Sequence, residues 1–140
     1  MAYKTVTKAM MRDTLRRAKE ILLNEGWVKH ALVKHKRDGT VQGYCLSGAI
    51  GKASGGMGEK GQLRESREHE RRLWDQCLSE VSTTLGKDDY MSSIPSWNDA
   101  SPRKRDDVIE LLDKTMARLT PKRRTRKAIP TESKQPVASK

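Results

Sequence analysis

The chain has 140 residues, of which 34 % are hydrophobic, and its 29 Lys and Arg against 18 Asp and Glu give a formal net charge of +11. That length suits one domain with a small core, and the charge excludes an acidic binder while pointing to nucleic acid or an acidic host protein surface as partner. Two cysteines cannot form a disulfide framework, the N-terminal residues lack the apolar run of a secretory signal, and no stretch approaches a membrane span, so a reduced, cytoplasmic protein with no membrane partner is expected.

Met11, Leu15, Ala18 and Leu22 step by helical intervals between Thr7 and Glu25, with Ile21 and Leu23 widening the stripe. Thr5 or Thr7 can cap this helix, and Gly26 supplies the left-handed residue that stops it. Its other face carries Lys8, Arg12, Arg16, Arg17 and Lys19, interrupted by Asp13 and Glu20. After Trp27, β-branched residues flank Asp38-Gly39, the dipeptide suited to a two-residue hairpin turn, which predicts a short β-like excursion near residues 28–44. This hairpin brings Lys29, Lys34, Lys36 and Arg37 close together in sequence.

Cys45 to Ser54 is a run of small and apolar residues that predicts a closely packed buried helix, ended by Gly55-Gly56-Met57-Gly58. From Gln62 to Leu85 a second long helix is expected, with Leu73, Cys77, Val81 and Leu85 on its apolar face beside Trp74 and Leu78. Its first half interleaves arginines and glutamates and reads as a solvated extension. Residues 87–100 read as a loop. Ser101-Pro102 then reads as a cap and first helical residue, with Asp106 and Asp107 in the first turn and Val108, Leu111, Leu112, Thr115 and Met116 turned inward. With phenylalanine absent, Trp27, Trp74 and Trp97 are expected in the core.

The expected fold is mostly α. It is a small bundle of about four helices with a β-like hairpin excursion, forming one domain over residues 1–120, followed by a basic tail over 121–140. That tail holds seven cations, among them Lys122, Arg123, Arg124, Arg126 and Lys127, against Glu132 alone. Its three prolines and lack of aromatics leave too little apolar surface to offset the entropy of ordering, which predicts disorder.

Four stretches stand out together: Gly26-Trp27, Cys45-Leu46-Ser47-Gly48-Ala49-Ile50, Trp97-Asn98-Asp99, and Arg103 ahead of Val108-Ile109. Their order and spacing resemble a family of small uncharacterised domains of phage and bacterial genomes, with Gly-Trp, Cys-x-x-Gly-Ala-Ile and Trp-Asn-Asp-x-x-x-Arg motifs. The resemblance spans about residues 15–117. It departs from the pattern at Lys104, where a threonine is common, and in the long charged segment near residues 64–72. It implies a phage or prophage setting and a location in the host cell, and it transfers no catalytic residue.

Trp27, Cys45, Trp97, Asn98, Asp99 and Arg103 therefore form a candidate pocket, set against the plainer reading of a loop lock in which Asp99 pairs with Arg103. Cys45 heads a helix, where a thiol can be activated, but no histidine stands in a recognisable motif with it, so a packed core thiol is expected. His30, His35, Cys45, His69 and Cys77 lack the close cysteine pair of a zinc site, and the glycines at 55–61 lack the spacing of a phosphate loop, so neither metal nor cofactor is expected. The expectation is a non-enzymatic accessory protein that binds nucleic acid through phosphates, or a host nucleoprotein complex, by way of Lys8, Arg12, Arg16, Lys19, Lys34, Lys36, Arg37 and the tail cations. The alternatives are a host-takeover or anti-defence inhibitor that acts by binding a protein, and a cysteine-dependent enzyme using Cys45.

Overall fold

Thr7 opens the first helix as its side-chain oxygen accepts the Met10 amide at 3.1 Å. In the computed structural model, which describes residues 5–121, this helix α1 spans Lys8–Glu25 and buries Met11, Thr14, Leu15, Ala18 and Leu22. At Gly26 (φ +110°) the chain passes so close to the segment around Gln42 that a Cβ would lie 2.4 Å from the Gln42 carbonyl oxygen. The Gly26 carbonyl then accepts the Tyr44 amide and the Tyr44 carbonyl accepts the Val28 amide, both at 3.0 Å.

Strands β1 (Val33–His35) and β2 (Val41–Tyr44) form an antiparallel pair with Val33 opposite Tyr44 and Lys34 opposite Gly43. The turn between them is wider than the two residues expected. Gly39 donates to the Lys36 carbonyl, Lys36 donates to the Thr40 carbonyl, and Asp38 accepts both the amide and the hydroxyl of Thr40. Asp38 thus holds its own side of a longer turn, and the register shifts between Lys34 and His35.

Helix α2 (Leu46–Ser54) follows with Cys45 as its cap, and seven of its nine residues are buried. Two glycines let it sit this deep. A Cβ at Gly48 would lie 1.9 Å from the Leu32 carbonyl oxygen, and one at Gly51 would lie 2.6 Å from the Trp74 ring. Helix α3 runs Glu68–Thr84, so the charged segment before it is only partly helical: residues 62–67 form turns tied to the preceding loop through Arg64 N to Gly56 O and an isolated pairing of Met57 with Leu63.

The segment expected to be a loop contains a helix, α4 (Tyr90–Asp99), which makes five helices among the described residues. Asp89 caps it by accepting the Met91 amide, and Ile94 anchors it in the core. Helix α5 (Arg105–Leu119) begins later than Ser101-Pro102, with Asp107 accepting the Lys104 amide, and it buries Val108, Leu111, Leu112, Thr115 and Leu119. One apolar cluster draws on all five helices and on Tyr44 of β2. Of the three tryptophans, only Trp74 is buried. Trp27 and Trp97 are half-buried and pack at the edge of the cluster, because the indole N–H of one and the ring face of the other serve polar partners described below. Residues 122–140, with Lys122, Arg123, Arg124, Arg126 and Lys127, lie outside the described residues.

Candidate functional site

The loop after α1, the N-terminus of α2 and the C-terminus of α4 meet at Asn98, which is 1 % exposed. Its Oδ1 accepts from Trp27 Nε1 at 2.7 Å and from the Leu46 amide at 3.0 Å. Its Nδ2 donates to the Val28 carbonyl at 3.2 Å and to Asp99 Oδ1 at 2.9 Å. An asparagine amide has two donor hydrogens and two acceptor lone pairs, so every capacity of this side chain is used inside the protein and none remains for a ligand.

Asp99 extends the junction outward. Its Oδ1 also accepts the His30 amide at 2.9 Å, its Oδ2 lies 3.5 Å from His30 Nδ1, and His30 itself adopts a left-handed φ of +71°. Burial pushes the Asp99 carboxyl upward, but the hydrogen bonds from Asn98 and the His30 amide, with His30 and Lys29 nearby, hold it below the usual range. Lys29 donates to the Ala100 and Ser101 carbonyls at the end of α4, which complements the negative helix terminus.

Cys45, His30 and Asp99 share a cavity of about 230 Å³ with Leu32, Ser47 and Pro95. Cys45 Sγ accepts the Gly48 amide at 3.3 Å, as a helix cap does. Burial raises its thiol above the ordinary value, the amides of Gly48 and Ser47 offset this only in part, and the Asp99 charge raises it further. That is the opposite of what a nucleophile at neutral pH requires. Among the described residues no group of three His, Cys, Asp or Glu side chains is placed to hold a metal ion.

The six residues expected to line one pocket are therefore divided. Trp27, Asn98, Asp99 and Cys45 adjoin the junction, whereas Arg103 points elsewhere: its Nε donates to the Trp97 carbonyl at 2.8 Å and its guanidinium stacks 3.8 Å from the Trp97 ring centre. The pairing expected between Asp99 and Arg103 is replaced by this stack, since Asp99 is already engaged by Asn98 and His30. Arg103 and Trp97 face a separate cavity of about 220 Å³ with Asp107, Glu110 and Lys114.

The cations expected to meet phosphates also divide. On α1, Arg16 pairs with Asp13 and Glu20, Lys19 pairs with Asp113 of α5, and Arg12 donates at 2.7 Å to the Leu119 carbonyl, where it caps the end of α5. Lys8 is exposed at the start of that helix. In the hairpin, Lys36 and Arg37 are exposed and Lys34 half-buried, and among the described residues none of the three has a carboxylate within ion-pairing distance.

A larger apolar groove of about 380 Å³ lies beside the Cys45 cavity and shares Leu32, Ser47 and Pro95 with it. Trp74 and Leu78 of α3 face it from one side and Tyr90 and Met91 of α4 from the other. The sequence reading missed it because two of its walls, Leu32 and Leu63, come from irregular segments 31 positions apart. Met91 falls in the stretch read as loop.

No helix among the described residues is long and apolar enough to cross a membrane. A model of a protein family with no known function matches residues 7–118, which takes in the hairpin and all five helices but for the last residue of α5. No curated protein and no solved structure matches.

Proposed function

Because the chain belongs to DUF6197, a family of unknown function, we propose from its own residues that it is a non-enzymatic accessory protein that binds nucleic acid through phosphates. The observation that carries this reading is the distribution of charge. The α1 cations Arg12, Arg16 and Lys19 are engaged within the protein, whereas Lys8, Lys34, Lys36 and Arg37 are among the cations with no carboxylate within ion-pairing distance among the described residues, and seven more cations follow Pro121 with one carboxylate among them. Such residues gain free energy by displacing counterions from a polyanion and carry no base-specific information. The satisfied Asn98 junction and the protonated Cys45 thiol support a structural role for the Cys45 and Trp97-Asn98-Asp99 motifs rather than a reaction. The phage or prophage setting and a place in the host cytoplasm belong to the same reading and rest on the motif resemblance.

Titrating the full chain against unrelated duplex DNA and RNA sequences at several salt concentrations tests it. Binding is expected to weaken steeply with salt. Removal of residues 122–140 is expected to flatten the slope of log K against log salt by about 4–6 units, as each duplex phosphate neutralised contributes about 0.9. Equal slopes with and without those residues, and with Lys34, Lys36 and Arg37 replaced by alanine, would sink the reading.

A further inference from the structure

The groove between α3 and α4 collects apolar surface that the rest of the protein hides. Four large hydrophobic side chains are exposed among the described residues, and three of them, Leu32 (36 %), Leu63 (58 %) and Met91 (72 %), line this groove. Trp74 and Leu78 stand one helical turn apart on its α3 wall.

One charged group in the groove lacks its full set of partners. Arg71 Nη2 makes a long hydrogen bond of 3.4 Å to the Glu65 carbonyl, whereas its Nε–H is shielded from solvent and has no acceptor among the described residues. The enclosed Nε is out of a partner's reach, but the half-buried Arg71 lines the groove with no carboxylate within ion-pairing distance among the described residues, and a guanidinium so placed favours an incoming carboxylate. The other charge at the groove, Asp75, is exposed and lies beside Tyr90, whose phenol is raised by burial and by that neighbouring carboxylate. The unmet demand is therefore for an acceptor at Arg71.

From this geometry we infer that the groove is a docking site for an amphipathic helix of a partner protein, which inserts apolar side chains spaced one turn apart against Trp74 and Leu78 and sets an acidic side chain on Arg71. Two features select a helix over a small amphiphile. The rim residues Leu63 and Met91 project into solvent rather than closing over the trough, whereas a small-molecule site encloses most of its ligand. The two facing helices with an apolar floor offer the groove that a third helix fills, and methionine at the rim adapts to the side chains it meets. The site stands apart from the phosphate-binding reading, which uses the hairpin and the residues after Pro121.

The test is a selection of random peptides by display on the full-length chain, counter-selected against the Leu63→Asp/Met91→Asp variant, which keeps every cation. Both substitutions fall on exposed side chains, and circular dichroism checks that the variant is folded. Enriched peptides are expected to carry two large apolar residues three or four positions apart with an Asp or Glu in the adjoining turn, and to gain helicity on binding. In fluorescence anisotropy with the labelled peptides, Leu63→Asp/Met91→Asp is expected to weaken binding at least about tenfold. Arg71→Gln should weaken acidic peptides while leaving their Glu→Gln forms unchanged, and removal of residues 122–140 should change neither. No enrichment, enrichment of basic peptides, or peptides indifferent to the variant would overturn the inference. So would a dimer in sedimentation that the double variant abolishes, which assigns the groove to a second copy. Saturable binding of decanoate lost in Arg71→Gln, with no peptide enriched, would assign it to a small amphiphile.

Discussion

Asn98 joins three chain segments with one amide. Replacing it with alanine strands two donors, Trp27 Nε1 and the Leu46 amide, together with the Val28 carbonyl, and buried groups left so cost about 1–3 kcal/mol each. Asn98→Ala is therefore expected to lose at least about 3 kcal/mol in urea denaturation. Asn98→Asp should also destabilise, because its second oxygen would face the Val28 carbonyl and the Asp99 carboxylate. A loss under about 1 kcal/mol for the alanine variant would show that water replaces the amide freely. Cys77 gives a second expectation. It is fully buried on α3, and burial, with Glu80 adding to it, pushes its thiol up from 9.0 to about 12. The unfolded chain then loses this proton first as pH rises, so stability is intact below about pH 9 and falls between there and about pH 12. Melting temperatures across that range should decline less steeply in Cys77→Ala than in the parent, whatever the cavity costs at neutral pH. Parallel declines would mean that the thiol ionises as readily in the folded protein as in the unfolded chain.

Helix α2 shows how an element can be placed by what its residues lack. Gly48 meets the Leu32 backbone and Gly51 meets the Trp74 side chain. A methyl at Gly48 forces main chain to move, while one at Gly51 asks an indole to pivot, so Gly48→Ala should cost more than the roughly 1–3 kcal/mol of ordinary overpacking and Gly51→Ala should fall within it. Denaturant midpoints for the two variants test the order, and a reversed order would contradict the packing. The elements most legible in the sequence are those with a clear period: α1, α2 and α5 announce their buried faces through Leu15, Ala18 and Leu22, through Ala49 and Ile50, and through Val108, Leu111 and Leu112. Helix α4 was hidden because Pro95 sits in its interior and three serines dilute its pattern, so that tertiary burial of Ile94 and the Asp89 cap, rather than propensity, hold it. The start of α3 was misplaced for a related reason, as Leu63 pairs with Met57 instead of extending the helix. The site was legible in part. Its motif residues do converge on one junction, yet nothing in their spacing reveals that Asn98 consumes all its bonding capacity internally, or that Arg103 turns away onto Trp97.

At the scale of the whole molecule, charge and core are organised separately. The α1 cations fasten α1 to α5 through Arg12 to Leu119 O and Lys19 to Asp113, although the exposed pair contributes at most about 1 kcal/mol. Among the described residues the last buried one is Leu119. Removing residues 122–140 is therefore expected to leave the melting temperature and helical signal of the protein nearly unchanged, whereas a cut before Leu119 should lower the melting temperature, because it removes both a core side chain and the carbonyl that Arg12 caps. A marked loss of stability in the longer truncation would place residues after Pro121 in the packing of the body. Trp74 has one further consequence. Its indole donates to the Ser47 carbonyl at 3.0 Å while its ring forms a wall of the α3/α4 groove. The protein thus carries its own optical reporter: with Trp27 and Trp97 replaced by phenylalanine, the single remaining emitter is a buried indole whose edge borders the groove, and its emission intensity should change as a docking helix packs against it.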